Sequence, residues 1–447
     1  MTTYRILFAT MPFDGHFSPL TGLAVHLQQL GHDVRWYVGG HYGERVKNLG
    51  LPHYPLVQAK LINQENLDEL LPERAKLKSP IARGQLDVTQ VFLLRAPEYV
   101  QDIRAIHQDW PFDILIYDEA CLGAVLAQQL LGVKGVAIGV MPLMETDENL
   151  GPPGLGQQPA RSGLGRLGQR ILSYVVQRFM FKPCNELYNQ LRAQHGLPPF
   201  QGFLFDSVFQ YADLFLQSGV PAFEYPRKRI SPTVKFVGAL LPHRSSQKAP
   251  FKYISQALAH KHVVLVTQGT LERNVEKIIV PTLEAYKDNA DTLVIATTGG
   301  SGTEELRRRY PQRHFIIEDF IDFDAVMPYA SVYVTNGGYG GVMLALQHQL
   351  PMVVAGVYEG KNEIAGRVDY CRVGINLKTE TPKPKQIRQA VTQVLTTSLY
   401  RQQVRQLAQE FQQYHPHELA TTYLQEMMTR ASQPAPHSSL AQPISAS

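Results

Sequence analysis

The chain has 447 residues and a formal net charge of +4, from 43 basic and 39 acidic residues. This length predicts two domains, and 44% hydrophobic with 18% charged residues is typical of a globular protein with an ample core. The near-balance of charge argues against a nucleic-acid partner, which would need a basic surface. We find neither a secretion signal nor a run of about 18 apolar residues, and therefore expect a cytoplasmic protein without a transmembrane segment. Three cysteines show no metal-ligand spacing and are expected to be reduced and mostly buried: Cys121, Cys184 and Cys371.

The first half of the chain predicts a parallel sheet with crossover helices. Its opening unit consists of a strand at Arg5–Thr10, a helix from about Pro19 to Leu30 capped by Ser18, and a strand at Asp33–Val38. His16 lies in the loop that follows the first of these strands. A later strand, Asp113–Tyr117, ends at Asp118. Because functional loops of a parallel sheet gather at the carboxyl ends of its strands, we expect His16 and Asp118 to face one crevice.

Two segments later in this half allow more than one interpretation. Glu148–Gly165 is rich in proline and glycine and is predicted to be a long functional loop. An apolar stripe with helical spacing follows it: Ile171, Leu172, Val175, Val176, Phe179 and Met180. We expect a core or acceptor-pocket helix, because its polar face is not strongly basic; a helix on a membrane surface is the alternative.

The second half repeats the strand–turn–helix pattern and predicts a second parallel α/β domain. Pro242–Pro250 has the composition of a linker, so we place the domains at 1–245 and 246–431. Residues 432–447 are rich in proline, serine and alanine and are predicted to be a disordered tail. Two closing helices are expected, from about Lys385 to Leu395 and from about Leu399 to Thr429.

The segment from Val332 to Gly356 has the composition of an anion-binding site. An apolar β-branched run stops at Asn336, and four glycines follow within five positions before an apolar helical pattern: Gly337, Gly338, Gly340 and Gly341. A helix N-terminus offers unpaired N–H groups and the positive end of the helix dipole, and glycine lets a phosphate approach the backbone. A tight turn of any doubly wound sheet is the alternative interpretation, although four glycines exceed what a turn requires.

Other nucleotide-binding patterns are absent from the sequence. The first loop lacks G-x-G-x-x-G, and no Walker sequence occurs, which disfavours a dehydrogenase and an ATPase. Asp322 and Asp324 match a two-aspartate metal pattern, but such a short match also fits an acid that caps the following helix. We interpret Asp322 as a cap.

Several stretches, in the right order across both halves, resemble the family 1 glycosyltransferases, the UDP-glycosyltransferase superfamily with the GT-B fold. The stretches are GHFSP at Gly15–Pro19 with LAVHLQQLGHDV after it, VTQGT at Val266–Thr270, FIDFDAVMPYASVYVTNGG, and GGVMLALQHQLPMVVAG. PPGLG and NxLRAxxGLPP (Asn189–Pro199) are similar to bacterial, macrolide-glycosyltransferase-like members that modify natural products or lipids. The resemblance implies two Rossmann-like doubly wound domains facing across a cleft, with the C-terminal helix packing back on the N-terminal, acceptor-binding domain.

The resemblance also implies a mechanism. His16 occupies the position of the general base that takes a proton from an acceptor hydroxyl, and Asp118 that of the acid behind the imidazole. The transfer inverts the anomeric centre, and neither a metal nor a cofactor is implied, because backbone amides and a helix dipole take the diphosphate charge. Phe13 and Met144 are the expected acceptor contacts, and the apolar loop Met141–Gly165 favours a small hydrophobic acceptor.

The donor site carries over only in part. By resemblance, Thr270 touches a phosphate, Phe320 stacks on the base, Ile321 reads its edge, and the glycines bind phosphate. Three residues depart from the family pattern: Asn336 replaces the phosphate-binding histidine, Gly341 a diphosphate-binding serine, and Leu344 the glutamate that grips the ribose. The sugar-binding Asp-Gln pair aligns with Gly360 and Lys361, and we select Glu359 and Lys361 as the sugar contacts. The loss at Leu344 leaves both UDP-sugars and dTDP-sugars as candidate donors.

We therefore predict a glycosyltransferase acting on a nucleotide sugar and a small hydrophobic acceptor. Two alternatives are a non-catalytic nucleotide-sugar-binding protein and a nucleotide-sugar 2-epimerase of the GT-B fold. The expected state is a monomer or homodimer, with no nucleic-acid partner and with peripheral membrane contact left open.

Overall fold

The computed structural model describes residues 2–243, 251–269 and 272–431, which form two parallel sheets flanked by helices. The first sheet has the order β3-β2-β1-β4-β5-β6-β7, with strands β1 Arg5–Ala9, β2 Asp33–Tyr37, β3 His53–Tyr54, β4 Ile114–Asp118, β5 Lys134–Gly139, β6 Leu214–Ser218 and β7 Val234–Gly238. The second has the order β10-β9-β8-β11-β12-β13, with strands β8 His262–Thr267, β9 Thr292–Thr297, β10 Phe315–Glu318, β11 Val332–Thr335, β12 Met352–Val354 and β13 Gly374–Asn376. All neighbouring strands are parallel.

The helices of the first half are α1 Asp14–Gln29, α2 Tyr42–Asn48, α3 Leu67–Leu70, α4 Pro80–Asp87, α5 Ala96–Asp109, α6 Leu122–Leu131, α7 Gly163–Val175, α8 Lys182–Gln194 and α9 Asp206–Tyr211. Those of the second half are α10 Ile254–Ala259, α11 Ile279–Tyr286, α12 Thr303–Arg309, α13 Phe323–Val326, α14 Tyr339–Gln347, α15 Lys361–Tyr370, α16 Pro384–Thr396, α17 Ser398–Phe411 and α18 Pro416–Ala431. None of the helices described here is long and apolar enough to cross a membrane.

The central strands are continuous apolar runs because helices cover both faces of each sheet. β1, β4 and β8 are almost entirely buried, and separate apolar clusters lie on the two sides of each sheet. The expectation of an α/β fold with two doubly wound sheets is confirmed. The proposed domain boundary at 245/246 and the predicted tail at 432–447 lie outside the described residues.

The chain returns to the first sheet at its C-terminal end. The predicted single helix Leu399–Thr429 is wrong: α17 ends at Phe411, and Pro416 begins α18. Proline cannot continue a helix but suits a first turn, so the break falls before it. α17 packs on α14 of the second half, whereas α18 contacts α1, β6 and β7. The expected packing of the C-terminal helix on the N-terminal domain is thereby confirmed.

The first helix begins five residues earlier than expected. α1 starts at Asp14 with Phe13 as its N-cap residue, and Pro19 lies inside it, so the predicted Ser18 cap is wrong. The apolar periodicity of this segment begins only at Leu20, so it does not predict a polar first turn. Tertiary contacts hold that turn: the Asp14 carboxylate pairs with Arg45 at 2.5 Å. His16 therefore projects from a helix rather than from a loop.

The predicted core stripe at 171–180 is also only partly right. Val176 is buried and Leu172 and Met180 are half-buried, but Ile171, Val175 and Phe179 are exposed. Periodicity shows that a helix has an apolar face; it does not show what covers that face. Here only one half of the stripe packs against the protein, together with the polar side chains of Gln169 and Gln177.

Candidate active site

His16 and Asp118 form a hydrogen-bonded pair at the carboxyl edge of the first sheet. β1 and β4 are parallel neighbours, so the helix after β1 and the last residue of β4 meet at that edge. His16 lies in the first turn of α1, and Asp118 ends β4. The distance from His16 Nδ1 to Asp118 Oδ1 is 2.7 Å.

The surroundings of Asp118 fix the orientation of this pair. The carboxylate is fully buried and accepts hydrogen bonds from the backbone N–H of Met11 at 2.8 Å and of Ala120 at 3.0 Å. Because an ionised carboxylate can only accept, the proton of a neutral His16 ring lies on Nδ1 and the lone pair on Nε2. The His16 side chain is 19% exposed, so this nitrogen can meet a bound molecule. The arrangement is that of a general base held by an acid.

The glycine-rich segment forms a turn between β11 and α14. Gly337 has a φ of +85°, and Gly338, in extended conformation, is the N-cap residue of α14. A Cβ atom on Gly337 would lie 2.8 Å from Val354, and one on Gly341 3.0 Å from the Tyr333 hydroxyl, so both positions favour glycine on steric grounds. The first N–H groups of α14 have no acceptor within the helix, which makes this end suitable for an anion.

The Asn336 side chain is engaged within the protein. Its amide N–H donates to the main-chain oxygen of Gln268, and its Oδ1 accepts from the N–H of Gly338 at 3.3 Å. The side chain thus joins the carboxyl ends of β8 and β11 and closes the glycine turn. One amide hydrogen remains for a phosphate, so the predicted donor contact stays a prediction.

The cradle at the start of α14 is fixed against the first half of the chain. Tyr339, the first residue of α14, is buried, and its hydroxyl donates to the main-chain oxygen of Ser218 at the end of β6 at 2.7 Å. α14 also contacts α1, the helix that carries His16. The glycine turn therefore lies on a helix that contacts the helix carrying His16.

Other predicted donor residues lie along the same edge of the second sheet. Phe320, just beyond β10, is 76% exposed, so its ring is accessible to a stacking partner, and its contact with a base stays a prediction. Ile321 is half-buried next to it, and Leu344 packs in the apolar core around α14. Thr270 lies outside the described residues. Asp322 caps α13 by accepting from the N–H of Asp324 at 3.0 Å, which confirms the capping interpretation.

Glu359 and Lys361, the predicted sugar contacts, belong to an ion cluster between the two halves. The Glu359 carboxylate lies 2.7 Å from Lys361 Nζ, 2.8 Å from Arg74 and 3.3 Å from Arg83. Burial would raise the pKa of Glu359, but Lys361 and Arg74 outweigh it and hold this pKa well below its ordinary value. Glu359, which has a left-handed φ of +59°, is thus ionised and already satisfied by cations. Any role in sugar binding stays a prediction.

The predicted acceptor contacts, Phe13 and Met144, follow strands β1 and β5 of the first sheet, and their role stays a prediction. Phe13 is buried beside the base, with its ring edge-on to His16 at a centroid distance of 6.1 Å. Met144 is half-buried in the loop after β5. Met141, at the start of that loop, packs against Gly360, so the loop approaches Glu359 and Lys361.

Hydrogen bonds to α15 hold the proline- and glycine-rich loop in place. The Glu363 carboxylate accepts from the N–H groups of Gly154 at 2.9 Å and Gly156 at 2.7 Å. Asn362 donates to the main-chain oxygen of Gly154 at 2.6 Å, and Gln158 donates to Asp369 at 2.6 Å. The loop is therefore an ordered wall of the cleft that both halves of the chain support.

A buried arginine, which the sequence did not single out, organises this wall. Arg367 lies 2.7 Å from Glu224 and 2.9 Å from Glu363, and Glu224 also accepts from the N–H of Leu143 at 2.9 Å. Burial would lower the pKa of Arg367, but Glu224 and Glu363 outweigh it and raise this pKa, so the guanidinium stays charged. Glu363 and Arg367 are four residues apart, a spacing that from sequence predicts only an exposed helical pair.

Comparisons with known proteins agree with this fold. Residues 287–427 match the family model described as "Erythromycin biosynthesis protein CIII-like, C-terminal domain". The chain is 32% identical to the 4'-demethylrebeccamycin synthase of Lentzea aerocolonigenes, over 91% of this chain and 95% of that protein. It is 38% identical to UDP-glucosyltransferase 1 of Beauveria bassiana, over 91% of each. Spinosyn rhamnosyltransferase SpnG, solved with thymidine diphosphate, shares the fold with a TM-score of 0.66 and 16% identity, over 94% of this chain and 99% of that one. The chain belongs to the family 1 glycosyltransferases, the UDP-glycosyltransferase superfamily of GT-B fold.

Proposed function

We propose that this enzyme inverts the anomeric centre as it moves a sugar from a nucleoside diphosphate to a hydroxyl of a small, largely apolar acceptor, without a metal. The observation that carries the proposal is the 2.7 Å hydrogen bond between His16 Nδ1 and buried Asp118. It supplies a base whose free nitrogen is aimed away from its partner. Such a base serves a single displacement, which needs no nucleophile from the protein.

The acceptor oxygen bonds to the anomeric carbon while the bond from that carbon to the diphosphate oxygen breaks. The hydroxyl proton passes to Nε2 of His16, and Asp118 stabilises the imidazolium that forms. The leaving diphosphate takes the bond electrons and lies against the N-terminus of α14, whose N–H groups and dipole supply the stabilisation that a cation would otherwise give.

The stereochemistry and the absence of a metal requirement can be tested together. With an α-linked nucleotide sugar, we expect a β-linked product, identified by its anomeric proton coupling in NMR, at a rate that EDTA leaves unchanged. A product with retained configuration would contradict the single displacement. Loss of turnover in EDTA, restored by a divalent cation, would contradict metal independence.

The apolar acceptor is supported by what surrounds the base. Phe13 packs edge-on to His16, and Met11 precedes it in the same buried cluster. The loop after β5 adds Leu143, which is buried in that same cluster, and Met144, which is half-buried. An apolar molecule would shield the acceptor hydroxyl and the imidazole from water, which strengthens their interaction.

We expect the protein to bind the donor nucleotide without a contact to its 2′-hydroxyl. Leu344 replaces the ribose-gripping glutamate of the family and packs in the apolar core, so it offers no acceptor to that hydroxyl. Calorimetric titration can compare UDP, dUDP and dTDP. UDP and dUDP differ only in the 2′-hydroxyl, and dUDP and dTDP differ only in the methyl group of the base, so each pair gives the contribution of one group to the binding free energy. We expect UDP and dUDP to bind within about threefold of each other, because an unread hydroxyl contributes little free energy.

Two outcomes would count against this donor model. UDP binding at least about tenfold more tightly than dUDP would show that another residue reads the ribose. No binding of any of the three nucleotides would mean that Asn336, Gly341 and Leu344 together disable the cradle. As a matched pair, Leu344→Gln tests whether restored hydrogen bonding creates a preference for UDP, and Leu344→Met controls for the change of shape.

A further inference from the structure

Helix α7 carries an apolar stripe that faces away from the protein. The stripe follows the helical repeat through the helix and the π-helical turn after it, at Leu164, Leu167, Ile171, Tyr174, Val175 and Phe179. Leu164 is 84% exposed and Phe179 65%. Single exposed apolar residues are ordinary on a protein surface, but a contiguous row of them marks an interaction site.

The opposite face of α7 is held firmly, so the stripe cannot turn inward. Val176 is buried in the core of the first half. The Gln169 side chain accepts from the N–H of Ala160 at 3.0 Å and donates to the main-chain oxygen of Gln158 at 2.7 Å. Gln177 donates to the Thr146 hydroxyl at 3.2 Å. The contacts on the loop side thus fix which face of the helix meets solvent.

The charged residues of the segment that carries the stripe are all basic, although Lys182 at its end pairs with Glu186 at 3.6 Å. Between Glu148 and Glu186 the sequence has no acidic residue, while five exposed cations lie in or beside α7: Arg161, Arg166, Arg170, Arg178 and Lys182. The prediction that this helix is not strongly basic was based on its polar face alone. In the structure, cations precede the helix, line it and follow it. An apolar stripe bordered by cations is the pattern of a helix that lies in the interface of an anionic bilayer.

We propose that α7 docks this enzyme on an anionic lipid surface, with the stripe in the acyl–headgroup boundary and the arginines on lipid phosphates. A second copy of the chain is a poorer occupant, because stripe-to-stripe pairing would bring two sets of five cations together. Docking through α7 would also turn the ordered loop 146–160 toward the bilayer. An apolar acceptor dissolved in the bilayer would then approach the protein from the side of this loop. This inference goes beyond the proposed sugar transfer, since vesicle binding requires neither donor nor acceptor.

Vesicle sedimentation of the full chain tests the proposal. We expect binding to phosphatidylcholine vesicles that contain phosphatidylglycerol, weakening as salt is raised, and little binding to phosphatidylcholine alone. The combined change Leu167→Gln, Ile171→Gln and Phe179→Gln should lower the partition coefficient at least about tenfold, because it removes the apolar contribution. Arg166→Gln with Arg170→Gln should lower it by a similar factor, since each cation contributes on the order of fivefold.

A matched control uses exposed apolar residues elsewhere. Val57→Gln with Leu258→Gln changes two highly exposed side chains outside α7 and should leave vesicle binding unaltered. No binding of the wild type to anionic vesicles, or equal binding of wild type and the α7 triple variant, would overturn the proposal. A wild-type dimer in light scattering that the triple variant converts to a monomer would assign the stripe to self-association instead. Loss of sugar transfer with intact vesicle binding would count against the proposed function alone.

Discussion

Replacing His16 with alanine is expected to lower kcat about 10³-fold while the affinity for the donor nucleotide stays within about twofold. A positioned base typically contributes about 10²–10⁴-fold to the rate. We expect a value in the middle of this range because the hydrogen bond to Asp118 orients the His16 ring. Donor binding should survive because the phosphate cradle lies on α14 of the other sheet. Initial-rate kinetics with a fixed acceptor, together with calorimetry of the nucleotide diphosphate, separate the two quantities.

His41→Ala removes a histidine near the same sheet edge that has no part in the pair, and should leave kcat unchanged. Turnover of His16→Ala within about tenfold of wild type would show that another group takes the proton. A parallel loss of donor affinity would mean that the substitution disturbs the cleft rather than the chemistry.

The proximity of His16 and Asp118 was predictable because it depends on a rule of topology. Parallel strands place their carboxyl ends together, so a histidine after the first strand and an aspartate at the end of another were expected at one edge. The glycine turn before α14 was predictable from local pattern, since an apolar β-branched run, four glycines and an apolar helical run indicate a strand, a turn and a helix. The structure adds the partner atoms, such as the N–H groups of Met11 and Ala120 that hold Asp118.

The contacts between the two halves could not be predicted from the sequence. Glu224 lies 143 residues before Arg367, and no local pattern connects them. Arg74 and Glu359 lie 285 residues apart. Each of these residues has an ordinary local interpretation as a surface charge. Their burial follows only from the way the sheets and their loops meet, which is a long-range property of the fold.

Short and polar elements were missed for a different reason. β3 and β13 have two and three residues, too few for periodicity to register. The first turn of α1 is polar and therefore lacks the apolar repeat, although it carries the proposed base. The exposed face of α7 was misassigned because an apolar repeat is the same whether protein, lipid or another chain covers it.

Replacing Asp118 with asparagine is expected to lower kcat by up to about 10³-fold, no further than the loss of the base itself, although the side chain keeps its shape. Asp118 accepts three hydrogen bonds, from His16 Nδ1, Met11 N–H and Ala120 N–H. An asparagine oxygen aimed at Met11 would turn its amide group toward His16, which then must carry its proton on Nε2 and cannot act as a base. In serine proteases the equivalent change lowers kcat about 10⁴-fold through the wrong tautomer.

The opposite orientation of the asparagine amide is also unfavourable. It would retain the bond to His16 but set an N–H donor against the buried N–H of Met11, and an unsatisfied buried donor costs about 1–3 kcal/mol. The first orientation sets the amide group against the N–H of Ala120, which shares Oδ1 with His16, so the free energy of unfolding measured in urea is expected to fall in either orientation. The loss of kcat therefore reports the wrong tautomer, and an unchanged kcat would show that the asparagine oxygen still faces His16. Asp113→Asn, at the start of the same strand and away from the cleft, is the control for both measurements.

The double variant decides whether the two residues act as one unit. If Asp118 serves only to hold and stabilise His16, then adding Asp118→Asn to His16→Ala should change kcat by no more than about threefold. If the two losses instead multiply, Asp118 has a separate role, and the pair is not a single base with its support. The cycle is informative because both side chains are fixed by short contacts that neither substitution replaces with a new one.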